Sequence, residues 1–209
     1  MFRRVLAVGA LATAAAVLAG TLSHPARSVA PTEVARGEVE QLSASGCGVE
    51  RWPIKTLTDA AARNVVLRSR ASTVEELRAL PNPGAGFSTP RLHGPETTTY
   101  RARVRLVELK TEPDLDIHLV VASLATRRKM IAEFPSPTCT KGARGRSLMT
   151  RARNALIAAC GPSRSSWRRL TGTATIAGVG FFDVLHGQRG VAPNGIELHP
   201  VTALRVRCR

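Results

Sequence analysis

Residues 178–201, GVGFFDVLHGQRGVAPNGIELHPV, form the segment around which the rest of this chain is organised. Strand-forming residues enter it, a loop of 12 residues (184–195) interrupts it, and an alternating run over 196–201 leaves it. This pattern predicts two strands joined by a long loop. Two histidines and two carboxylates lie inside the stretch, so the loop is either functional or a long turn with unrelated polar residues.

Upstream of this stretch, residues 98–121 predict a β-hairpin. Tyr100, Ala102, Val104 and Leu106 alternate with polar residues, which is typical of a strand with one buried face. The apolar phase changes after Leu106, as a β-bulge would produce. A turn over 111–114 then leads to a second alternating run over 115–121.

The remaining elements follow in order: a short strand over 129–134, a helix over 147–160, a strand over 167–182 and a last strand over 196–206. The helix has an apolar stripe through Leu148, Ala152, Ala155 and Ala159, widened by Met149 and Leu156. Gly161 with Pro162 ends it. The chain is therefore mainly β, with one helix between strands 3 and 4. This order predicts a small five-stranded OB-like barrel, which binds ligands across strands 2 and 3 and at loops 1–2 and 4–5. An unclassified β-barrel or sandwich is the alternative.

The segments before the barrel divide into a leader and an extension. A basic start, an uncharged apolar run and small residues near Ala30 predict a secretory signal peptide over 1–30, with an uncleaved anchor as the alternative. Residues 31–97 form an N-terminal extension that ends in a Pro/Gly-rich linker, and 98–209 form the barrel domain. Within the extension, Pro53 favours an edge strand, and 73–80 predict a short capped helix. We expect a secreted, periplasmic or cell-envelope protein without a transmembrane segment in the mature chain.

The four cysteines indicate disulfides because their number is even and none lies in a CxxC pair. Three pairings are possible. We favour one bond between Cys47 and Cys139 and another between Cys160 and Cys208.

The chain is strongly basic, with a net charge of +15, and only four of its 30 basic residues are Lys. This charge favours polyanions such as nucleic acid, although GC-rich coding also favours Arg. Between 127 and 169 there are 11 basic residues against one acidic residue, Glu133. Aromatic residues for base stacking are scarce there, and a solvated basic face is the alternative. The candidate ligand-binding residues are Lys141, Arg144, Arg146, His186, Gln188, Arg189 and Asn194.

A second set of residues points to catalysis or a divalent metal. His, Asp and Glu are the residue types that a metal site or a general acid–base pair requires. The candidate catalytic residues are Asp116, His118, Asp183 and His186, and the candidate metal ligands are Asp116, His118, Glu133, His186 and His199. As alternatives, Asp116 and His118 line the solvated face of a strand, as do Glu197 and His199, and Asp183 caps a turn. None of the common hydrolase or nucleotide-binding motifs is present.

The segments CGVERWPIKTLTD, DIHLV, MIAEFPSPTC and GVGFFDVLHGQRGVAPNGIELHPV together resemble an uncharacterised family of exported bacterial proteins. The resemblance covers about residues 47–201. It implies export from a bacterium and a single domain, and supplies no activity, cofactor or catalytic residue.

These observations leave three functional hypotheses. The first is an exported binding module for a polyanion, either nucleic acid or an envelope polymer. The alternative is a metal-dependent extracellular hydrolase, similar to a phosphodiesterase or nuclease, that uses Asp116, His118, Asp183 and His186. The third is a structural domain of the cell envelope. The sequence does not decide whether the protein is an enzyme.

Overall fold

The computed structural model describes residues 43–209, so the predicted signal peptide and the start of the extension lie outside the described residues. Two short 3-10 turns, Ala60–Asn64 and Pro95–Thr97, join the regular elements. The helices are α1 (Trp52–Lys55), α2 (Val74–Arg78) and α3 (Arg146–Cys160). The strands are β1 (Val66–Ala71), β2 (Thr98–Thr111), β3 (Ile117–Ser123), β4 (Lys129–Phe134), β5 (Arg168–Arg169), β6 (Gly172–Phe182) and β7 (Ile196–Cys208).

Five strands close into a barrel. Their order is β2-β3-β4-β7-β6, and β6 pairs with β2 to complete the circle. The pairing of β4 with β7 is parallel, and the other four barrel pairings are antiparallel. Counted along the barrel, the order is 1-2-3-5-4-1, with α3 between strands 3 and 4. The predicted OB-like barrel is confirmed, and the alternative of a sandwich is wrong because the sheet closes on itself.

Strand β2 bends where the sequence predicts a bulge. Its register with β3 shifts between Leu106 and Glu108. Before the shift β2 pairs with β6, and after it β2 pairs with the two-residue strand β5. Strand β2 therefore pairs with β3 along one edge and with β6 and then β5 along the other.

Two strand boundaries differ from the prediction for identifiable reasons. Leu115 has φ 74°, in the left-handed region, so β3 begins only at Ile117. The predicted strand over 167–182 is divided: β5 pairs with β2 after the register shift, β6 pairs with β2 before it, and β6 also pairs with β7. Its break leads into Gly172, whose φ is 122° and where a Cβ atom would lie 2.0 Å from the Arg207 carbonyl oxygen. Only glycine fits there.

The core lies inside the barrel and beneath α3. Alternate residues of β2 point inward, as predicted, and β3 is buried along its whole length. On α3 the buried residues are Met149, Ala152 and Leu156. The predicted stripe is therefore confirmed at these three residues and wrong at Ala159, which is exposed.

The segment before the barrel packs against it through buried polar contacts. The Arg51 guanidinium makes two hydrogen bonds to the Glu96 carboxylate, at 2.9 and 2.7 Å, and donates to the Phe182 carbonyl at 2.7 Å. Pro53 lies in the first turn of α1, where its missing N–H costs nothing. The prediction of an edge strand at Pro53 is therefore wrong.

Strand β1 and helix α2 complete this packing. Strand β1 pairs in parallel with β2. Thr73 and Glu76 form the predicted cap of α2 as a capping box, and the Asn194 amide donates to the Leu77 and Leu80 carbonyls at the other end of the helix.

Both favoured disulfides are present. Cys47 bonds to Cys139 and so ties the N-terminal segment to the loop after β4. Cys160 bonds to Cys208 and ties the end of α3 to the end of β7. No helix among residues 43–209 has the length and apolar character needed to cross a membrane.

Candidate functional site

One pocket of about 410 Å³ opens at the end of the barrel where the turn after β2 meets the loop between β6 and β7. The two loops that flank the ligand face of an OB-fold therefore border a single cavity. Three cationic and three acidic residues are among those that line the pocket: Lys55, Lys110, Arg189, Glu112, Glu133 and Asp183.

A buried cluster of carboxylates and imidazoles lies behind this pocket. Asp116 immediately precedes β3, and His118 lies in β3. Glu133 lies in β4. Strand β7 contributes Glu197 and His199. The strand register brings them together. His118 pairs with Glu133 in β4, and the next strand, β7, pairs in parallel with β4 through Glu197 and Ile131. All five are buried, so the interpretation of Asp116, His118, Glu197 and His199 as solvated strand residues is wrong.

His118 is held on both ring nitrogens. Its Nε2 lies 3.0 Å from the Arg189 carbonyl, which can only accept, so Nε2 carries a hydrogen. Its Nδ1 lies 3.0 Å from Glu133 Oε1 and 3.3 Å from Glu112 Oε1. Ionised carboxylates also only accept, so the ring is an imidazolium and neither nitrogen has a lone pair for a metal.

His199 has a different environment at each nitrogen. Its Nδ1 lies 3.0 Å from Glu197 Oε1, in a hydrogen bond, and 3.3 Å from Glu133 Oε2. Its Nε2 lies 3.3 Å from Asp116 Oδ2. Yet both Nε2 and Asp116 Oδ2 are buried without a hydrogen bond, since they are close but not aligned for one. These two atoms face each other at the centre of the cluster.

Asp116 is fixed by the backbone around it. Its Oδ1 accepts a hydrogen bond from the Ser136 N–H at 2.9 Å, and its own N–H donates to Asp114 Oδ1 at 3.0 Å. The second oxygen, Oδ2, is thereby directed at His199. Asp116, Glu133 and His199 can each offer one ligand atom such that these atoms all lie within 4.8 Å of one another.

The protonation of the cluster follows from its charges. Burial would lower the pKa of His118, but the bonds to Glu112 and Glu133 outweigh it and raise the pKa to about 10. Burial likewise opposes the charge on His199, but Asp116, Glu197 and Glu133 raise its pKa to about 10.

The carboxylates of the cluster shift in opposite directions. Burial, together with the negative charges of Glu133 and Asp183, raises the pKa of Glu197 to about 7. Burial also opposes ionisation of Glu133, but the hydrogen bond from His118 and the charge of His199 hold its pKa well below its usual range. Four carboxylates (Glu112, Asp116, Glu133 and Glu197) thus surround two imidazoles, and Glu112 also pairs with Lys110 Nζ at 2.7 Å.

The sequence-predicted catalytic set is only partly brought together. Asp116 and His118 belong to the buried cluster. Asp183 is half-buried on the pocket wall, where it accepts from the Gln188 amide at 3.1 Å and lies 3.8 Å from Lys55 Nζ. His186 is exposed and lines the pocket mouth.

Several candidate ligand-binding residues have structural contacts instead. The Arg144 guanidinium donates to the Ala62 and Val65 carbonyls, and Arg146 donates to the Pro137 carbonyl at 3.3 Å. Lys141 is exposed. Asn194 contacts helix α2 and Gln188 braces its own loop, as described above.

Arg189 is better placed to meet a ligand. Its guanidinium lies over the Trp167 ring, 5.1 Å from the centroid, and 3.1 Å from Glu108 Oε2 at the pocket edge. Sequence reasoning missed Lys55, Lys110 and Glu112. Glu112 lies in the predicted turn 111–114 and was recognisable as a carboxylate of loop 1–2, but nothing in the sequence places Lys55, from helix α1, beside β6.

Comparison with models of protein families, with curated proteins and with solved structures found no match for this chain. Its function must therefore be argued from the geometry of the pocket and the buried cluster.

Proposed function

We propose that the protein is an exported, divalent-metal-dependent hydrolase that acts on an anionic ester such as a phosphodiester. The observation that carries this proposal is the pair Asp116 Oδ2 and His199 Nε2. Both atoms are buried and face each other at 3.3 Å without a hydrogen bond. Buried polar atoms are almost always satisfied, and a cation shared by the two would satisfy both.

The spacing and the surroundings fit such a cation. Two ligands bound tetrahedrally at about 2.0–2.1 Å lie roughly 3.4 Å apart, close to the distance between Asp116 Oδ2 and His199 Nε2. Glu133, whose ligand atom lies within 4.8 Å of those of Asp116 and His199, would be the third donor. His199 Nδ1 bonds to Glu197, as metal-ligating histidines commonly bond to a carboxylate through their other nitrogen. Without a cation the carboxylates keep His199 protonated, so binding would displace its Nε2 proton.

In this proposal the pocket next to the donor set holds the substrate. Lys55, Lys110 and Arg189 line it and can hold an anionic group. Glu133 belongs both to the pocket wall and to the donor set, and His118 fixes it there through Nδ1. A bound divalent cation would polarise the ester and activate water at neutral pH. The two disulfides are typical of an exported protein.

Metal binding by the oxidised protein tests the donor set. We expect the metal-free protein to take up about one equivalent of Zn²⁺ or Mn²⁺, measured by elemental analysis after dialysis. The Tm should rise as the ion is added, because an ion at 100 times its Kd stabilises the fold by about 2.7 kcal/mol. Asp116→Asn keeps the Oδ1 acceptor for Ser136 but should lose the ion, and His199→Gln provides a second variant.

His186→Ala is the matched control, since His186 lines the same pocket outside the donor set. It should keep the ion. Loss of the ion in His186→Ala, but not in Asp116→Asn, would place the metal at the pocket mouth and contradict the donor set. A wild-type protein with no bound ion and no ion-dependent Tm would overturn the proposal.

Activity is tested separately with bis(p-nitrophenyl) phosphate. We expect hydrolysis that EDTA abolishes and that Zn²⁺ or Mn²⁺ restores, with little hydrolysis by Asp116→Asn. Hydrolysis that is insensitive to EDTA in the wild type would contradict a metal-dependent mechanism.

A further inference from the structure

A regular array of arginines covers the outer face of the barrel, far from the pocket. Arg103 of β2 pairs with Thr175 of β6, which pairs with Arg205 of β7. One step further along, Arg105 pairs with Thr173, which pairs with Arg207. Directly paired residues share a face of the sheet, and all four arginines are exposed. We call this surface the arginine grid: Arg103, Arg105, Arg205 and Arg207 around Thr173 and Thr175.

The grid has a defined spacing. The two arginines of one strand are two residues apart, about 6.8 Å, and the two arginines of one row are two strands apart, about 9.6 Å. A shallow depression of about 390 Å³ lies between them, with Leu124 at its edge. The hydroxyl groups of Thr173 and Thr175 lie between the charged side chains and can also donate to an anion.

The positive charge of the grid is not neutralised by the protein. Among residues 43–209, none of the ion pairs within 4.0 Å involves any of the four arginines. By contrast, Arg51, Arg91 and Arg189 each pair with a carboxylate. Like charges in neighbouring positions of a sheet repel each other, so a ligand with several regularly spaced negative charges would relieve this repulsion.

The chemistry of the face selects among polyanions. The outward residues of β2, β6 and β7 around the grid are Arg, Thr and Ala, without an aromatic ring. Proteins that hold single strands use aromatic side chains to stack the bases, and membrane-surface anchors combine basic residues with an extended apolar face. Backbone phosphates of a duplex need only cations and hydroxyl donors.

The grid is independent of the proposed metal centre. The pair Thr173 and Arg207 lies nine residues along β6 from Phe182, which pairs with Ile196 beside the pocket. Nine residues of strand span about 30 Å. The grid also lies on barrel strands 1, 4 and 5, rather than on the usual OB ligand face of strands 2 and 3.

We propose that the arginine grid binds the phosphate backbone of duplex nucleic acid without sequence preference. If four arginines each neutralise one phosphate, the logarithm of the binding constant falls with the logarithm of salt concentration with a slope of about −3.6. Fluorescence anisotropy measures this slope. The oxidised full chain is titrated into a short labelled DNA duplex at a series of NaCl concentrations.

The double variant Arg205→Ala/Arg207→Ala should weaken binding and reduce the magnitude of the slope by about 1.8. The matched control is Lys141→Ala/Arg146→Ala, which removes the same charge from the loop after β4 and the first residue of α3 and should leave the slope unchanged. Duplexes of different sequence should bind equally.

Equal losses in the two double variants would overturn the proposal, because they would reduce the effect to net charge. Binding to vesicles of anionic phospholipid, without binding to the duplex, would also overturn it. Asp116→Asn should bind the duplex like the wild type and the grid variant should bind metal normally, so failure of either proposal is distinguishable from failure of the other.

Discussion

At the scale of single residues, the site depends on which nitrogen of each histidine is engaged. The sequence places His118 and His199 in strands and makes both candidate ligands. Only the structure separates them, because Arg189 and two glutamates occupy His118 completely, whereas His199 Nε2 faces Asp116 Oδ2. The residue types and the hydrophobic periodicity of the strands could not reveal which nitrogens are engaged, because the contacts come from a loop and from two other strands.

The buried pair Arg51 and Glu96 gives the first prediction at this scale. Arg51→Met should destabilise the fold by about 3–5 kcal/mol, because it leaves the Glu96 charge buried without its partner. Urea unfolding followed by circular dichroism measures this loss.

Glu108→Gln is the control for this prediction. It breaks the ion pair with Arg189, whose side chain is 55 % exposed, and should cost at most about 1 kcal/mol. Similar losses in the two variants would contradict the structural role of the buried pair.

At the scale of elements, most strands could be predicted, because apolar and polar residues alternate wherever one face of a strand is solvated. The bulge after Leu106 is an example. The errors arose where local backbone or packing overrides the period: Leu115 adopts positive φ, the strand breaks before Gly172, and Pro53 begins a helix. The loop 184–195 was located correctly, but its contact with His118 could not be read from the sequence.

Two glycines of that loop give a second prediction. Gly190 has φ 87°, and an added Cβ would lie 2.5 Å from Cγ1 of the buried Val120. Gly190→Ala should therefore cost the left-handed strain of about 1–2 kcal/mol and a steric penalty of about 1–3 kcal/mol. It should also displace Arg189, and with it the carbonyl that holds His118.

Gly187→Ala provides the control, because Gly187 has φ 89° and open space around its Cβ position. Only the backbone strain should appear. Thermal unfolding of both variants measures the difference, and a Gly187→Ala loss as large as that of Gly190→Ala would show that the loop does not pack on Val120.

At the scale of the whole molecule, the two disulfides join the ends of the described chain to its middle. They close segments with sequence separations of 92 and 48 residues. Four cysteines allow three pairings. The barrel topology explains the bond between Cys160 and Cys208, because α3 and β7 end side by side. The function could not be predicted at this scale, because the barrel is compatible with many ligands.

Removing each bond in turn gives a third prediction. Chain entropy predicts losses of about 4–5 kcal/mol for either Cys47→Ala/Cys139→Ala or Cys160→Ala/Cys208→Ala, because the loss grows only with the logarithm of loop length. Guanidinium unfolding of both double variants measures the losses. A loss below about 1 kcal/mol in either variant would mean that this bond does not constrain the unfolded chain.

Asp116 and His199 are proposed to share a cation, and a crystal structure of the metal-soaked, oxidised protein tests this. We predict an anomalous-difference peak for Zn²⁺ or Mn²⁺ about 2.0–2.2 Å from both Asp116 Oδ2 and His199 Nε2, with His199 Nδ1 still bonded to Glu197. A metal-free centre in which Asp116 Oδ2 accepts a straight hydrogen bond from His199 Nε2 would contradict the account.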